Sequence, residues 1–353
     1  MPEFTLHEAM LYDKLPGSVA RCHVCLWECR ILPDHFGLCR VRQNVNGTIY
    51  ALNYAEVSSV AVDPIEKKPL FHFYPGSQVL SLGGWGCNFH CRHCQNWQIS
   101  CQTPWEGGER DSQRISPEAA VAMTRRYGCE GISWTYNEPG IWLEYTLDSA
   151  RLAKADGLYT VYVTNGYITE EHLDAIGPYL DAYRVDIKGF SDAFYRELAK
   201  VTRWRRILDV AIRAKERWDM HIEVVTNVIP TMNDDETQLR ELAVWIRDNL
   251  GENAPWHVTR FHPMHQLLHL PSTPVATLER AWAIGREVGL HFVYLGNVPG
   301  HDGENTVCYS CRRQVVRRVG YQTEIVGLDG SKCRFCGAEL NIRTKDYQRK
   351  FKP

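Results

Sequence analysis

Short apolar runs alternate with longer amphipathic ones along most of this chain. Runs rich in Val, Ile, Tyr and Thr fall at 78–82, 131–136, 159–164, 182–187, 222–229, 257–261 and 291–295 and read as strands. Between them, 117–127, 141–155, 170–179, 205–217, 235–249 and 274–288 have helical spacing, with Ser116-Pro117-Glu118 and Thr169-Glu170-Glu171 as helix starts. In the last helix Leu278, Trp282, Gly285 and Val288 share a face and are expected in the core. Strand–helix repetition makes a parallel sheet. The stretch before it differs: 1–45 is rich in cysteine, and 46–75 reads as short strands and loops. The expected divisions are 1–75, 76–300 and 301–353.

Composition narrows the picture. The 353 residues suit one large α/β domain with appendages, and 44% hydrophobic content supports a real core. Forty basic side chains against 42 acidic give 40 − 42 = −2, which argues against nucleic acid or an anionic membrane surface as partner. No run is long enough to span a membrane, and no basic-then-apolar leader opens the chain, so a cytoplasmic location is expected. The 13 cysteines are not spaced like a disulfide framework. Three groups, Cys22/Cys25/Cys29/Cys39, Cys87/Cys91/Cys94 and Cys308/Cys311/Cys333/Cys336, read as metal sites. Cys101 and Cys129 remain and read as small buried hydrophobes.

The middle group carries the chemistry. Cys87, Cys91 and Cys94 form C-x3-C-x2-C directly after the 78–82 strand and the glycine turn Gly83-Gly84-Trp85-Gly86. Three thiolates can hold three irons of a [4Fe–4S] cluster and leave the fourth open, whereas structural zinc closes its shell with four ligands. The run resembles the signature of radical S-adenosylmethionine (SAM) enzymes. That resemblance implies a partial (βα)6 barrel of TIM type. It also implies that SAM chelates the open iron, and that reductive cleavage of SAM gives a 5′-deoxyadenosyl radical that takes hydrogen from a substrate. The cofactor supplies the hard chemistry and the protein the positioning.

In α/β barrels ligands gather at the C-terminal ends of strands, and polar residues do stand there. His93 matches the position where the family sets an aromatic residue against adenine. Thr135-Tyr136-Asn137-Glu138-Pro139 stands where many relatives carry Gly-Gly-Glu, so Glu138 is expected on the SAM ammonium with Asn137 beside it. A helix cap is the structural reading of the same run, with Pro139 at the helix start, and both can hold at once. Asn165 follows the third strand. Asp186 and Lys188 share a face, since side chains on a strand repeat every two residues. Their Asp-x-Lys resembles a motif of pyruvate formate-lyase activating enzymes and suits the ribose hydroxyls and the methionine carboxylate of SAM. Asn227 and His262, the latter sharing a face with Arg260, complete the expected set, and Asn233 reads as a cap. Lys67, Lys68 and His72 are expected at the surface.

The outer cysteine groups read differently. Cys308-x2-Cys311 and Cys333-x2-Cys336, with 21 residues between, have zinc-ribbon spacing. Arg312, Arg313, Arg317 and Arg318 between the knuckles, and the tail of Arg343, Lys345, Arg349, Lys350 and Lys352, read as a solvated basic face or a dock for an acidic partner. Cys22, Cys25, Cys29 and Cys39 can hold zinc or an auxiliary cluster. Zinc is the first expectation, because four thiolates close its shell and His23 and His35 offer spare ligands.

The N-terminal cysteines, Asp63-Pro64-Ile65-Glu66-Lys67-Lys68, Cys94-Gln95-Asn96-Trp97, Thr135–Pro139 and the C-terminal knuckles occur in an order that resembles AmmeMemoRadiSam system radical SAM enzymes, within the pyruvate formate-lyase activating enzyme-like group. Leu26 departs from that pattern, which commonly has proline there. The resemblance implies partnership with Memo-family and AMMECR-family proteins and a low-potential electron donor such as flavodoxin or ferredoxin. It names no substrate. Two other readings remain: a glycyl-radical enzyme activase, and a zinc-ribbon nucleic-acid-binding protein without activity, which the near-neutral charge disfavours.

Overall fold

The structure is a computed structural model and describes residues 6–106 and 113–347. Its centre is an eight-stranded sheet. Strand β1 (Ser59–Pro64) runs antiparallel to β2 (Gln78–Gly83). From β2 the sheet continues in parallel through β3 (Gly131–Trp134), β4 (Tyr159–Thr164), β5 (Ala182–Asp186), β6 (His221–Val228), β7 (Trp256–Arg260) and β8 (Val293–Gly296). The helices between them are α1 (Pro117–Arg126), α2 (Leu143–Ala155), α3 (Glu170–Ile176), α4 (Arg205–Glu216), α5 (Glu236–Trp245) and α6 (Val275–Glu287). Strand order follows chain order without crossing, and β1 and β8 are the two edges, so the barrel is partial.

The seven parallel strands lie where the apolar runs predict, within two residues at each end. Their residues are almost all buried, and such runs are legible because a parallel strand is covered on both faces. Strand β1 is the addition. Ser59, Val60 and Ala61 are half-buried and Val62 is exposed, so its sequence carries no clear period. The α6 stripe is corrected in part. Leu278 and Gly285 are buried, with a Cβ at Gly285 falling 2.7 Å from Val293, but Trp282 is 39% exposed and Ala281 and Ile284 face the core in its place.

The lower, N-terminal end of the barrel is plugged by Phe71, His72 and Phe73. The fully buried Glu223 carboxylate on β6 accepts from the Phe71 and His72 N–H groups at 3.0 and 2.7 Å. His221 Nε2 and His257 Nε2 lie 3.0 and 2.6 Å from its oxygens. His72 Nδ1 is 2.8 Å from the Leu340 carbonyl, so it carries the proton, and Nε2 accepts from Tyr294 at 2.6 Å. Lys68 is also buried, 2.7 Å from Asp63, which Lys67 and Tyr136 contact as well. The surface expectation thus fails for Lys68 and His72: the 63–76 segment turns inward because the sheet's charged interior positions supply its partners.

The C-terminal module closes the same end. Its strands (Gln314–Val319, Gln322–Ile325) and knuckles pack Cys308, Val315, Val316, Leu328, Cys333 and Leu340 against Phe71, Phe292 and Tyr294. Arg318 is buried, donates to the Phe71 carbonyl and Thr306 hydroxyl at 2.7 Å each, and lies 4.1 Å above the Phe71 ring. Arg343 is buried against Asp219. These two residues correct the reading of a solvated basic face, which holds for Arg312, Arg313, Arg317 and Lys345. Arg349, Lys350 and Lys352 lie outside the described residues. No described helix is long and apolar enough to cross a membrane.

Candidate active site

At the other end of the barrel, the cysteine loop leaves β2 and is held from three sides. Its His90 and Arg92 N–H groups donate to the Ala199 and Leu198 carbonyls, and the Arg92 carbonyl accepts from Gln266. Trp97 stacks on His265 at 5.2 Å. Asn137 ties the glycine turn by accepting from Gly84 N–H at 3.1 Å and donating to the Gly86 carbonyl at 2.8 Å. Gly86 has φ 76° and touches the Cys39 carbonyl, which a Cβ would meet at 2.4 Å. Gly84 leaves room for the Trp142 ring, 3.0 Å from where a Cβ would stand. The glycines thus seat the loop against its neighbours.

Cys87, Cys91 and Cys94 sit together on this loop. Phe89 N–H points to Cys87 Sγ at 3.4 Å, and Asn165 Nδ2 lies 3.9 Å from the same sulfur. Burial pushes the Cys87 thiol far up and that of Cys91 up to about 12, with Lys188 opposing the shift at Cys91. Burial disfavours the thiolate at both, so a bound metal would have to draw off these protons, with Lys188 helping at Cys91. Asn165 is fixed by Asn88 at 2.8 Å and by Tyr167 N–H at 2.9 Å.

Asp186 and Lys188 do share a face, with Lys188 Nζ 3.0 Å from Asp186 Oδ2. Arg184, two residues earlier, joins them by pairing with Asp186 Oδ1. Burial alone would raise Asp186, but Arg184 and Lys188 outweigh it and hold its carboxyl below the usual range. Lys188 is held above its usual range, because Asp186 and the Cys91 sulfur outweigh its burial. Reading Asp-x-Lys with a period of two reaches Arg184 as well, a signal already present in the sequence.

His93 is buried near this pair, 6.3 Å from the Phe194 ring, and burial lowers it to about 3. Its Nδ1 is buried with no partner among the described residues. Buried polar atoms are rarely left unpaired, so an orphan here fits a position reserved for a ligand. Glu138, expected on the SAM ammonium, is fully buried and engaged within the protein. Oε1 accepts from Gly140 N–H and the Thr164 hydroxyl, and Oε2 from Asn165 N–H, each at 2.7 Å. Burial still raises it to about 7. The geometry is that of the helix cap, and it positions Asn165 beside Cys87. Asn227 is held by Thr259 at 3.2 Å. His262 is exposed on the loop after β7, 3.1 Å from Ser272 Oγ, outside the group around the cysteines. Asn233 is not a simple cap: its Nδ2 bridges the Lys188 and Asn227 carbonyls at 2.6 and 3.0 Å.

The two outer tetrads differ in geometry. Cys308 Sγ lies 3.6 Å from Cys336 Sγ, Cys311 Sγ lies 3.6 Å from Cys333 Sγ, and all four sulfurs fall within 4.8 Å of one another. Cys22, Cys25, Cys29 and Cys39 line one pocket with Val24, Ile31, Arg42 and Ile141. Among the described residues no histidine lines this pocket: His23 Nε2 is 2.8 Å from Asp13, and His35 Nδ1 is 2.8 Å from the Pro33 carbonyl. Cys101 is half-buried and Cys129 buried.

Residues 84–243 match the radical SAM superfamily. An uncharacterized protein of Methanocaldococcus jannaschii is 43% identical over 339 residues, covering 96% of this chain and 99% of its own length. The pyruvate formate-lyase-activating enzyme of Clostridium pasteurianum is 22% identical over 195 residues, 52% of this chain and 76% of that one. A solved radical SAM methyltransferase from Sphaerobacter thermophilus aligns with TM-score 0.49 and 16% identity over 66% of this chain and 71% of that one. Members of this superfamily carry a [4Fe–4S] cluster and SAM, which suits three free cysteines on one loop with an orphaned His93 nitrogen among them, and the chain belongs to the radical SAM superfamily.

Proposed function

We propose that this chain is an enzyme that cleaves SAM reductively and abstracts hydrogen from a substrate, acting with Memo-family and AMMECR-family proteins. The observation that carries the chemistry is the meeting of Cys87, Cys91 and Cys94 with His93, Arg184, Asp186 and Lys188 at one end of the barrel. When bound, the cluster and SAM supply the one-electron cleavage and the adenosyl radical. The residues of the chain hold and orient. Cys87, Cys91 and Cys94 are the thiolates. Lys188 offers a cation for a carboxylate, and Asp186 offers acceptors for hydroxyls. Asn165, fixed through Glu138 and Asn88, donates toward the Cys87 sulfur. The C-terminal tetrad holds zinc, since Zn–S bonds of about 2.3 Å set tetrahedral sulfurs about 3.8 Å apart.

The deciding experiment is 5′-deoxyadenosine formation by anaerobically reconstituted protein with SAM and a strong reductant, with Memo and AMMECR proteins added. Product is expected from the parent and not from Cys91→Ala; product from that variant would refute the assignment. Asp186→Ala should weaken SAM binding at least about tenfold with iron content unchanged, and unchanged affinity by calorimetry would make Asp186 structural. The likeness to an activating enzyme supports one other reading, in which a glycyl-radical enzyme is the hydrogen donor. A glycyl radical formed on such a protein, with no response to Memo or AMMECR proteins, would select it.

A further inference from the structure

We propose that Cys22, Cys25, Cys29 and Cys39 hold a second [4Fe–4S] cluster, not zinc. The molecule holds three cysteine sets whose spacings differ. A single ion draws all its ligand atoms onto one centre, so the sulfurs must crowd together. A cubane cluster binds each cysteine to a different iron, so its sulfurs stand farther apart. The C-terminal tetrad is crowded and is the one group of three or more potential ligands so gathered among the described residues. The Cys87 triad does not meet that condition, nor do the four N-terminal sulfurs. Yet those four line a common pocket, so they are near neighbours at wider spacing. By geometry the N-terminal tetrad goes with the cluster triad.

Its surroundings fit. The Val24, Trp27 and Val41 N–H groups point to the Cys22, Cys25 and Cys39 sulfurs, the same two-residue step as Phe89 to Cys87, and Leu38 N–H serves Cys29. Such bonds favour thiolates and stabilise sulfur-ligated clusters. Arg42, 2% exposed, lines the pocket. Its Nη2 is 2.7 Å from Glu144, but Nε and Nη1 are buried without a partner among the described residues. A guanidinium with free N–H groups against four thiols suits an anionic centre and is costly without one. The Cys39 carbonyl packs on Gly86, the residue before Cys87, so the second centre lies beside the loop of the first.

Metal content of the unaltered protein decides between the two ions. Anaerobically reconstituted protein should carry about eight irons and about one zinc per chain. About four irons and about two zincs would overturn the proposal. Cys87→Ala, Cys91→Ala and Cys94→Ala combined should leave about four irons and a [4Fe–4S]-type electron paramagnetic resonance signal on reduction. Iron-free protein that melts like the parent would overturn it. Adding Cys25→Ser and Cys29→Ser to that background should remove the remaining iron, and retained iron would place it elsewhere. Iron that survives loss of the triad is read without SAM cleavage, so this result stands apart from the proposed activity.

Discussion

The two four-cysteine modules stand at opposite ends of one barrel and solve different problems. The C-terminal tetrad is crowded, sits over the lower mouth, and sends Arg318 inward to hold the Phe71–Phe73 plug. The N-terminal tetrad is spread, lies beside the upper mouth, and presses Cys39 on the loop that carries Cys87. Both are C-x2-C-containing sets of four, and ligand count is the same. The spacing of the sulfurs in three dimensions separates them, and with it the role: one closes the inactive end, the other borders the chemistry.

The sharpest way to break this contrast is to remove a C-terminal ligand. If the tetrad holds the zinc proposed for it, Cys308→Ser should release that zinc and cost on the order of 5 kcal/mol of stability, because binding at such a site is folding free energy. Iron content should be unchanged, and a normal melting curve would show that the knuckles are not needed to close the barrel. Next in size is the plug itself. Glu223→Ala strands two backbone N–H groups and two histidines in the interior, for an expected loss of about 3–5 kcal/mol by denaturation. A loss below about 1 kcal/mol would mean the plug is held by its rings alone.

A smaller effect depends on pH. Burial lowers His72 to about 3, so it folds neutral, while an unfolded histidine titrates near 6.5. The unfolded chain therefore binds more protons as pH falls below that value. The contribution of His72 is complete above about pH 6.5 and is lost toward the folded pKa, at up to about 1.4 kcal/mol per pH unit. The denaturation midpoint should fall less steeply on acidification in His72→Gln than in the parent, and equal slopes would contradict a locked neutral ring. The least effect is expected one residue from a buried partner. Arg317 is exposed, 3.8 Å from Glu324, and Arg317→Ala should move the melting temperature by under about 1 °C, whereas Arg318→Met should move it clearly.

Much of the barrel was legible because its strands are apolar on both faces and its helices carry caps. Ser116 and Thr169 accept from Ala119 and His172 N–H groups as those positions suggest. The placement of the cysteine triad together was legible because its three thiols lie on one loop. Other features were not. Glu138 and Asn137 look like ligands in sequence, and in the structure Glu138 accepts from the nearby Gly140 N–H, the Thr164 hydroxyl and the Asn165 N–H, while Asn137 accepts from the distant Gly84 N–H. Trp282 matches a helical stripe but sits at the open edge beyond β8, where the sheet has no further strand to cover it.

By itself the sequence determined what is local: strand and helix order, the C-x3-C-x2-C loop, and the two sets of four cysteines. Periodicity and short-range spacing are properties of neighbouring residues, so they survive in one dimension. Tertiary structure alone decided that His72 and Lys68 turn inward, that Arg318 is buried while Arg317 is not, and that one tetrad crowds while the other spreads. Two of those outcomes rest on partners more than a hundred residues away, Glu223 for His72 and Phe71 for Arg318, and the others on how the 63–76 segment and the cysteine loops pack, which only the folded chain sets.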